Sequence, residues 1–172
     1  PSRGLGDVYK RQELNRATKV YGAYADDIFV GVLLAEIKNE PKRYYSVSKA
    51  IYVKIFDWLQ HLVAGKGVEE YDEANKDMYK SFCQKNKPDG EIIFLAADPD
   101  CKIKGVGTAL LSAFEKDESG KLIYLYTDNA CTYQFYEHRG FECSEERQVV
   151  LDLDKRQVPL TCLFYTKKIT EQ

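Results

Sequence analysis

The chain has 172 residues, 44% of them apolar, a formal net charge of −2 and a pI of about 5.8. That length predicts one domain with enough apolar surface for a full core, and the faintly acidic balance excludes the basic face of a nucleic-acid binder. No apolar run reaches the ~18 residues of a membrane span and no apolar h-region opens the chain, so a cytoplasmic protein without membrane contact is expected.

Residues 1–12 lack periodicity and are expected to be a disordered or extraneous tail before a single domain at 13–172. Val20–Tyr24 and Ile28–Ile37 are rich in β-formers, and Asp26-Asp27 between them predicts a hairpin turn. The period then changes. Val47, Ile51, Ile55, Trp58 or Leu59, and Leu62 recur every three to four positions, which predicts an amphipathic helix over 44–64, ended by Gly65 and Gly67. Tyr71, Ala74, Met78 and Phe82 repeat that spacing over 68–86, and Pro88-Asp89-Gly90 reads as a turn.

The apolar run Glu91–Asp98 predicts a buried strand. It is followed by Lys102-Ile103-Lys104-Gly105-Val106-Gly107-Thr108 and then by the helical run Ala109-Leu110-Leu111. A strand that stops at a Gly-x-Gly turn and opens a helix suits an anion. The glycines admit close backbone approach, and the first unpaired N–H groups of the helix point outward. Leu122–Tyr126 reads as a second buried strand. Asn129–Phe141 reads as an aromatic helix with the pattern Asn-x-x-Thr-x-x-Phe-Tyr-x-x-x-Gly-Phe, ended by Gly140. Gln148–Leu153 and Leu160–Thr166 predict a last hairpin. Five scattered cysteines with no Cys-x-x-Cys pair and only two histidines fit a reduced compartment, and predict neither a disulfide framework nor a metal site.

Two of these motifs together resemble the GNAT superfamily of acetyl-CoA-dependent N-acetyltransferases. Lys102–Gly107 is similar to its Gln/Arg-x-x-Gly-x-Gly/Ala signature, with Lys102 in place of Gln or Arg. Asn129–Phe141 is similar to its Asn-x-x-Ala-x-x-Phe/Leu-Tyr-x-x-x-Gly-Phe signature, with Thr132 in place of Ala. The resemblance covers roughly residues 90–166. It implies an α/β (α+β) fold: a mixed, mostly antiparallel sheet with one splayed parallel strand pair, flanked by helices. It also implies a strand and two helices ahead of the first hairpin, where this chain has about twenty residues. Either those elements are missing, or the predicted helices at 44–86 replace them.

The resemblance further implies acetyl-CoA as co-substrate and a primary amine as acceptor. Its pyrophosphate would meet the backbone of Ile103, Gly105, Val106, Gly107 and Thr108, with Lys102 and Lys104 adding charge. Lys104 fits a solvated loop equally well. Leu95 and Ala97 would offer backbone to the pantetheine arm. Asn129 would touch that arm or cap the helix. Tyr136 would protonate the leaving thiolate, with Tyr133 as its substitute, and either ring also suits a core. Glu91, fourteen residues before Gly105, matches the base of some family members, and a solvent-facing carboxylate after the Pro-Asp-Gly turn fits it equally well. Asp98 before Pro99 is better explained as a turn. His138 reads as a surface residue. Three functions follow from the resemblance: acetylation of a small amine, acetylation of a protein amine, and non-catalytic acyl-CoA binding. The acidic pI favours a cationic acceptor, with polyamines, aminoglycosides, aryl amines and amino acids all open. A homodimer is left open.

Overall fold

A computed structural model describes residues 15–42, 51, 53–55, 57, 69–153 and 156–171. Six strands form one sheet: β1 (Lys19–Ala25), β2 (Ile28–Ile37), β3 (Gly90–Ala97), β4 (Leu122–Asp128), β5 (Glu142–Leu153) and β6 (Arg156–Lys168). Their order is β1-β2-β3-β4-β6-β5. Every neighbouring pair is antiparallel except β3 and β4. Three helices have both ends among the described residues: α1 (Glu69–Cys83), α2 (Val106–Asp117) and the short α3 (Gln134–Glu137). The expected mixed, mostly antiparallel sheet is therefore present.

Period-two alternation divides the core into two faces. Leu33, Ala35, Ile123, Leu125, Leu163 and Tyr165 pack with Val106, Leu110, Leu111 and Phe114 of α2. Tyr124, Cys162 and Phe164 point the other way, onto Tyr71, Ala74 and Met78 of α1. The predicted apolar stripe of α1 is thus the buried one, with Met78 at 0% exposure. Ile51, Val53–Ile55 and Asp57 are helical, and Ile55 packs with Val32, Leu34 and Phe94. The remaining predicted helical positions at 44–64, the predicted tail at 1–12, and Asp154 and Lys155 lie outside the described residues.

The first hairpin closes as expected. Asp26 (φ 46°) and Asp27 (φ 65°) form its two-residue turn, because positive φ at both positions matches the twist of the flanking strands. Two local readings are corrected. Pro88-Asp89-Gly90 is not a turn. Asp89 is a bridge: its N–H donates to Leu122 O (2.7 Å) and its carbonyl accepts Lys38 N–H (2.8 Å), while its Oδ2 accepts Leu122 N–H (2.7 Å). Gly90 already belongs to β3, and a Cβ there would lie 2.5 Å from Ile37 Cδ1. The second correction concerns 129–141. Only Gln134–Glu137 is helical, and Gly140 (φ 79°) reverses the chain after it.

Four charges tie the start of β1 to the ends of β2 and α2. Lys19 Nζ lies 2.9 Å from both Glu40 and Glu118, and Lys121 Nζ lies 3.1 Å from Glu40. The hydrogen bond from Lys19 holds the Glu40 carboxyl below 4.5, against the upward pull of burial. Because the folded value is depressed, this stabilisation is present above pH 4.5 and is lost as pH falls through the lower folded value. Lys19 moves the opposite way: Glu40 and then Glu118 raise it, so its share is full below pH 10.5 and fades as pH climbs past that. Glu40→Gln is expected to cost about 0.5–1 kcal/mol at neutral pH, and nothing once the parent's Glu40 is itself protonated. Urea midpoints measured at both ends of that range check it.

Candidate active site

β3 and β4 share only two ladder positions, Gly90↔Ile123 and Glu91↔Tyr124. Beyond them the two parallel strands run on to Ala97 and Asp128 without pairing. A bulge marks the parting. Leu34 faces Phe94 and Ala35 faces Ile92, so Ile93 is the extra residue on β3. A bulge bends its strand and increases the local twist, which turns β3 away from β4. The β4-facing backbone edge of β3 past Glu91 therefore has no ladder partner. The resulting cleft holds about 610 Å³ and is lined from both strands and from the segment after β4. It opens at the carboxyl ends of the strands, where parallel pairs commonly receive ligands.

α2 starts at one edge of this cleft. Gly105 is its N-cap in the left-handed conformation (φ 85°), and no side chain caps the helix. The first intrahelical bond runs from Ala109 N to Gly105 O (2.9 Å). The N–H groups of Val106, Gly107 and Thr108 precede it and have no acceptor within the helix. A Cβ on Gly105 would meet nothing within 4 Å, so the loop's outer surface is open backbone. Gly107 lines the cleft, and a Cβ there would touch the Phe135 ring at 3.3 Å. The helix begins three residues earlier than the sequence suggests, which places Gly107 and Thr108 in its first turn. Together these features make an anion cradle: aligned donors, a positive dipole end and no side chain in the way.

The predicted residues separate by location. Leu95, Ala97, Gly107 and Tyr136 line the cleft. Lys102, Ile103, Lys104 and Gly105 form the exposed loop beside it. Val106 is buried at 8% exposure as the first anchor of α2. Tyr136 has no hydrogen bond from its hydroxyl among the described residues, and burial raises its phenol pKa well above the ordinary value of 10. Such a group stays protonated and can donate. Tyr133 instead stacks on Tyr165 at 6.5 Å and packs against the core. Asn129 does not cap a helix. Its Oδ1 accepts Thr161 N–H (3.0 Å) and its own N–H donates to Thr161 O (3.1 Å), so it fastens the end of β4 to β6. Asp98 closes a turn as anticipated, with Oδ1 accepting Asp100 N–H at 2.9 Å. His138 is exposed.

Glu91 stands apart from the cleft lining, at the last position where β3 pairs with β4. It is not the solvent-facing carboxylate that the sequence also allowed: its exposure is 8%. Its Oε2 accepts from Arg16 Nη2 and from the Tyr124 hydroxyl at 3.0 Å. Arg16 also reaches Glu36 at 2.8 Å. Tyr124 is held protonated, first by burial and then by the neighbouring Glu91 charge. Sequence reasoning missed Arg139, Asp128 and Tyr126. The Arg139 guanidinium stacks 3.6 Å over the Phe135 ring, donates to Thr108 Oγ1 and donates to Phe135 O (2.9 Å). It thereby locks α3 to the first turn of α2. Asp128 and Tyr126 line the cleft, and the signal was their position at the carboxyl end of an apolar strand.

A parted parallel pair beneath an uncapped helix N-terminus, within a mostly antiparallel sheet, is the frame of an acyl-group transferase. More particularly, the sequence matches the acetyltransferase (GNAT) family model over residues 3–141, and the chain belongs to that family. Solved structures agree in fold. One is a protein of Streptococcus mutans UA159 (TM-score 0.53, 16% identity, 98% of this chain and 81% of that one). Another is the ribosomal-protein-S18-alanine N-acetyltransferase of Escherichia coli (TM-score 0.53, 10% identity, 96% and 77%). Identity this low shows the fold alone. No curated protein matches the chain by sequence. Among the described residues, no helix is long and apolar enough to cross a membrane, and no cluster of His, Cys, Asp or Glu could hold a metal.

Proposed function

We propose that this protein moves the acetyl group of acetyl-CoA to a primary amine of a small molecule, by direct transfer within a ternary complex. The parting of β3 from β4 next to the bare N-terminus of α2 carries this reading. It offers a pantetheine-sized slot with unpaired backbone beside a pyrophosphate cradle.

In this scheme the pyrophosphate lies on the N–H groups of Gly105–Thr108, with Lys102 and Lys104 nearby. The pantetheine amides pair with the free edge of β3 at Leu95 and Ala97. The amine nitrogen attacks the thioester carbonyl, the carbon–sulfur bond breaks, and the CoA thiolate takes a proton from Tyr136. Glu91 accepts the proton that the amine loses, directly or through water. Cytoplasmic residence and action on a small amine rather than a protein belong to the same proposal.

Titration of the protein with acetyl-CoA by calorimetry, followed by a panel of amines monitored for free thiol, tests it. Saturable binding and amine-dependent thiol release are expected. Binding without thiol release on any amine would leave an acyl-CoA-binding module. Glu91→Gln should preserve binding of both substrates and reduce or move the acidic limb of the pH–rate profile, since the titrating group is gone. A profile unchanged in height and shape would remove Glu91 from the chemistry.

A further inference from the structure

Three carboxylates are buried in the described fold: Glu91, Glu118 and Asp128. Two of them have cations. Glu91 is paired with Arg16, and Glu118 lies 2.9 Å from Lys19 and also contacts Lys121. Asp128, at 8% exposure, forms no ion pair among the described residues. Its Oδ1 accepts the N–H groups of Ala130 (2.9 Å) and Cys131 (3.1 Å). Its Oδ2 has one long contact, the Tyr71 hydroxyl at 3.4 Å.

A buried charge ordinarily needs a partner, because its desolvation is not repaid otherwise. Asp128 lines the cleft, as does Tyr126 two residues earlier on the same face of β4. That face is the one covered by α1. A carboxylate with acceptor capacity left on one oxygen, next to an aromatic ring, matches an ammonium group. The carboxylate supplies charge and a hydrogen-bond acceptor, and the ring supplies its negative face. We propose that Asp128 binds the positive charge of the acceptor. The acceptor class is then an alkyl amine protonated at neutral pH, not an anionic compound or a neutral arylamine. This rests on the acetyl-transfer reading above.

Asp128→Asn separates recognition from support, because the amide oxygen still accepts the two turn N–H groups while the charge is lost. With putrescine as acceptor, KM is expected to rise roughly 10- to 100-fold, the range of a lost charged hydrogen bond. The KM for acetyl-CoA, the melting temperature and the rate with para-toluidine, which is uncharged at neutral pH, should not change. In the parent, protonated trimethylamine should compete with putrescine and tert-butanol, an uncharged branched compound of similar size, should not. That comparison decides the matter alone should the variant fail to fold. Equal losses for putrescine and para-toluidine, no loss for either, or no competition by trimethylamine would overturn the assignment. A parent that acetylates para-toluidine but not putrescine would overturn it and leave acetyl transfer standing. A parent that releases no thiol with either amine would overturn both.

Discussion

Tyr136→Phe is expected to keep the affinity for acetyl-CoA and to lower turnover roughly 10- to 1000-fold, the range for a lost proton donor. The substitution removes one oxygen and leaves the ring, which packs edge-on against Phe135 (5.3 Å) and Phe141 (5.8 Å). No hydrogen bond from the hydroxyl is lost among the described residues, so the fold has little reason to respond. Burial raises the phenol pKa, so the hydroxyl stays protonated and can donate a hydrogen bond to the departing thiolate as its charge develops. Steady-state kinetics separates the outcomes. A fall in kcat with unchanged acetyl-CoA binding assigns the proton to Tyr136. An unchanged kcat returns the ring to packing. Tyr133 cannot readily inherit the role in this arrangement, since it stacks on Tyr165 and does not line the cleft.

Gly105→Val is expected to weaken acetyl-CoA binding by at least about tenfold through two separable effects. At φ 85° a β-branched residue is strained, by about 1–3 kcal/mol, so the loop is driven out of the geometry that aims the first N–H groups of α2. Any methyl groups that stay in place project into the open space over which the pyrophosphate would lie. Gly105→Asn distinguishes these effects, because Asn tolerates the left-handed region better than Val. If strain dominates, Asn should retain much of the affinity. If bulk dominates, both variants should lose it. Calorimetric titration with acetyl-CoA reads the result, and parent-like binding by Gly105→Val would remove this loop from the coenzyme site.

Features legible in the sequence were those written in short windows. The Asp26-Asp27 turn, the stripe of α1 and the strand–glycine–helix order around Gly105 all depend on residues within a few positions of one another. Backbone sterics and periodicity act at that range. Gly140 likewise reads as a chain reversal because only a residue without Cβ takes its φ freely.

The site itself depends on tertiary pairing. The cleft exists because Ile93 bulges and β4 finds its long partner in β6 rather than β3. No local pattern encodes a ladder that stops after two residues. Asn129 suits a helix cap by composition, yet the neighbouring β6 offers Thr161, and a two-bond clamp to its backbone displaces the cap. Glu91 reads as a strand-end carboxylate until the fold brings up Arg16, 75 residues away. Asp128 stands out only when the partners of every buried carboxylate are known. Charge compensation is a property of what surrounds a group in space, and contacts between residues distant in the chain decide it.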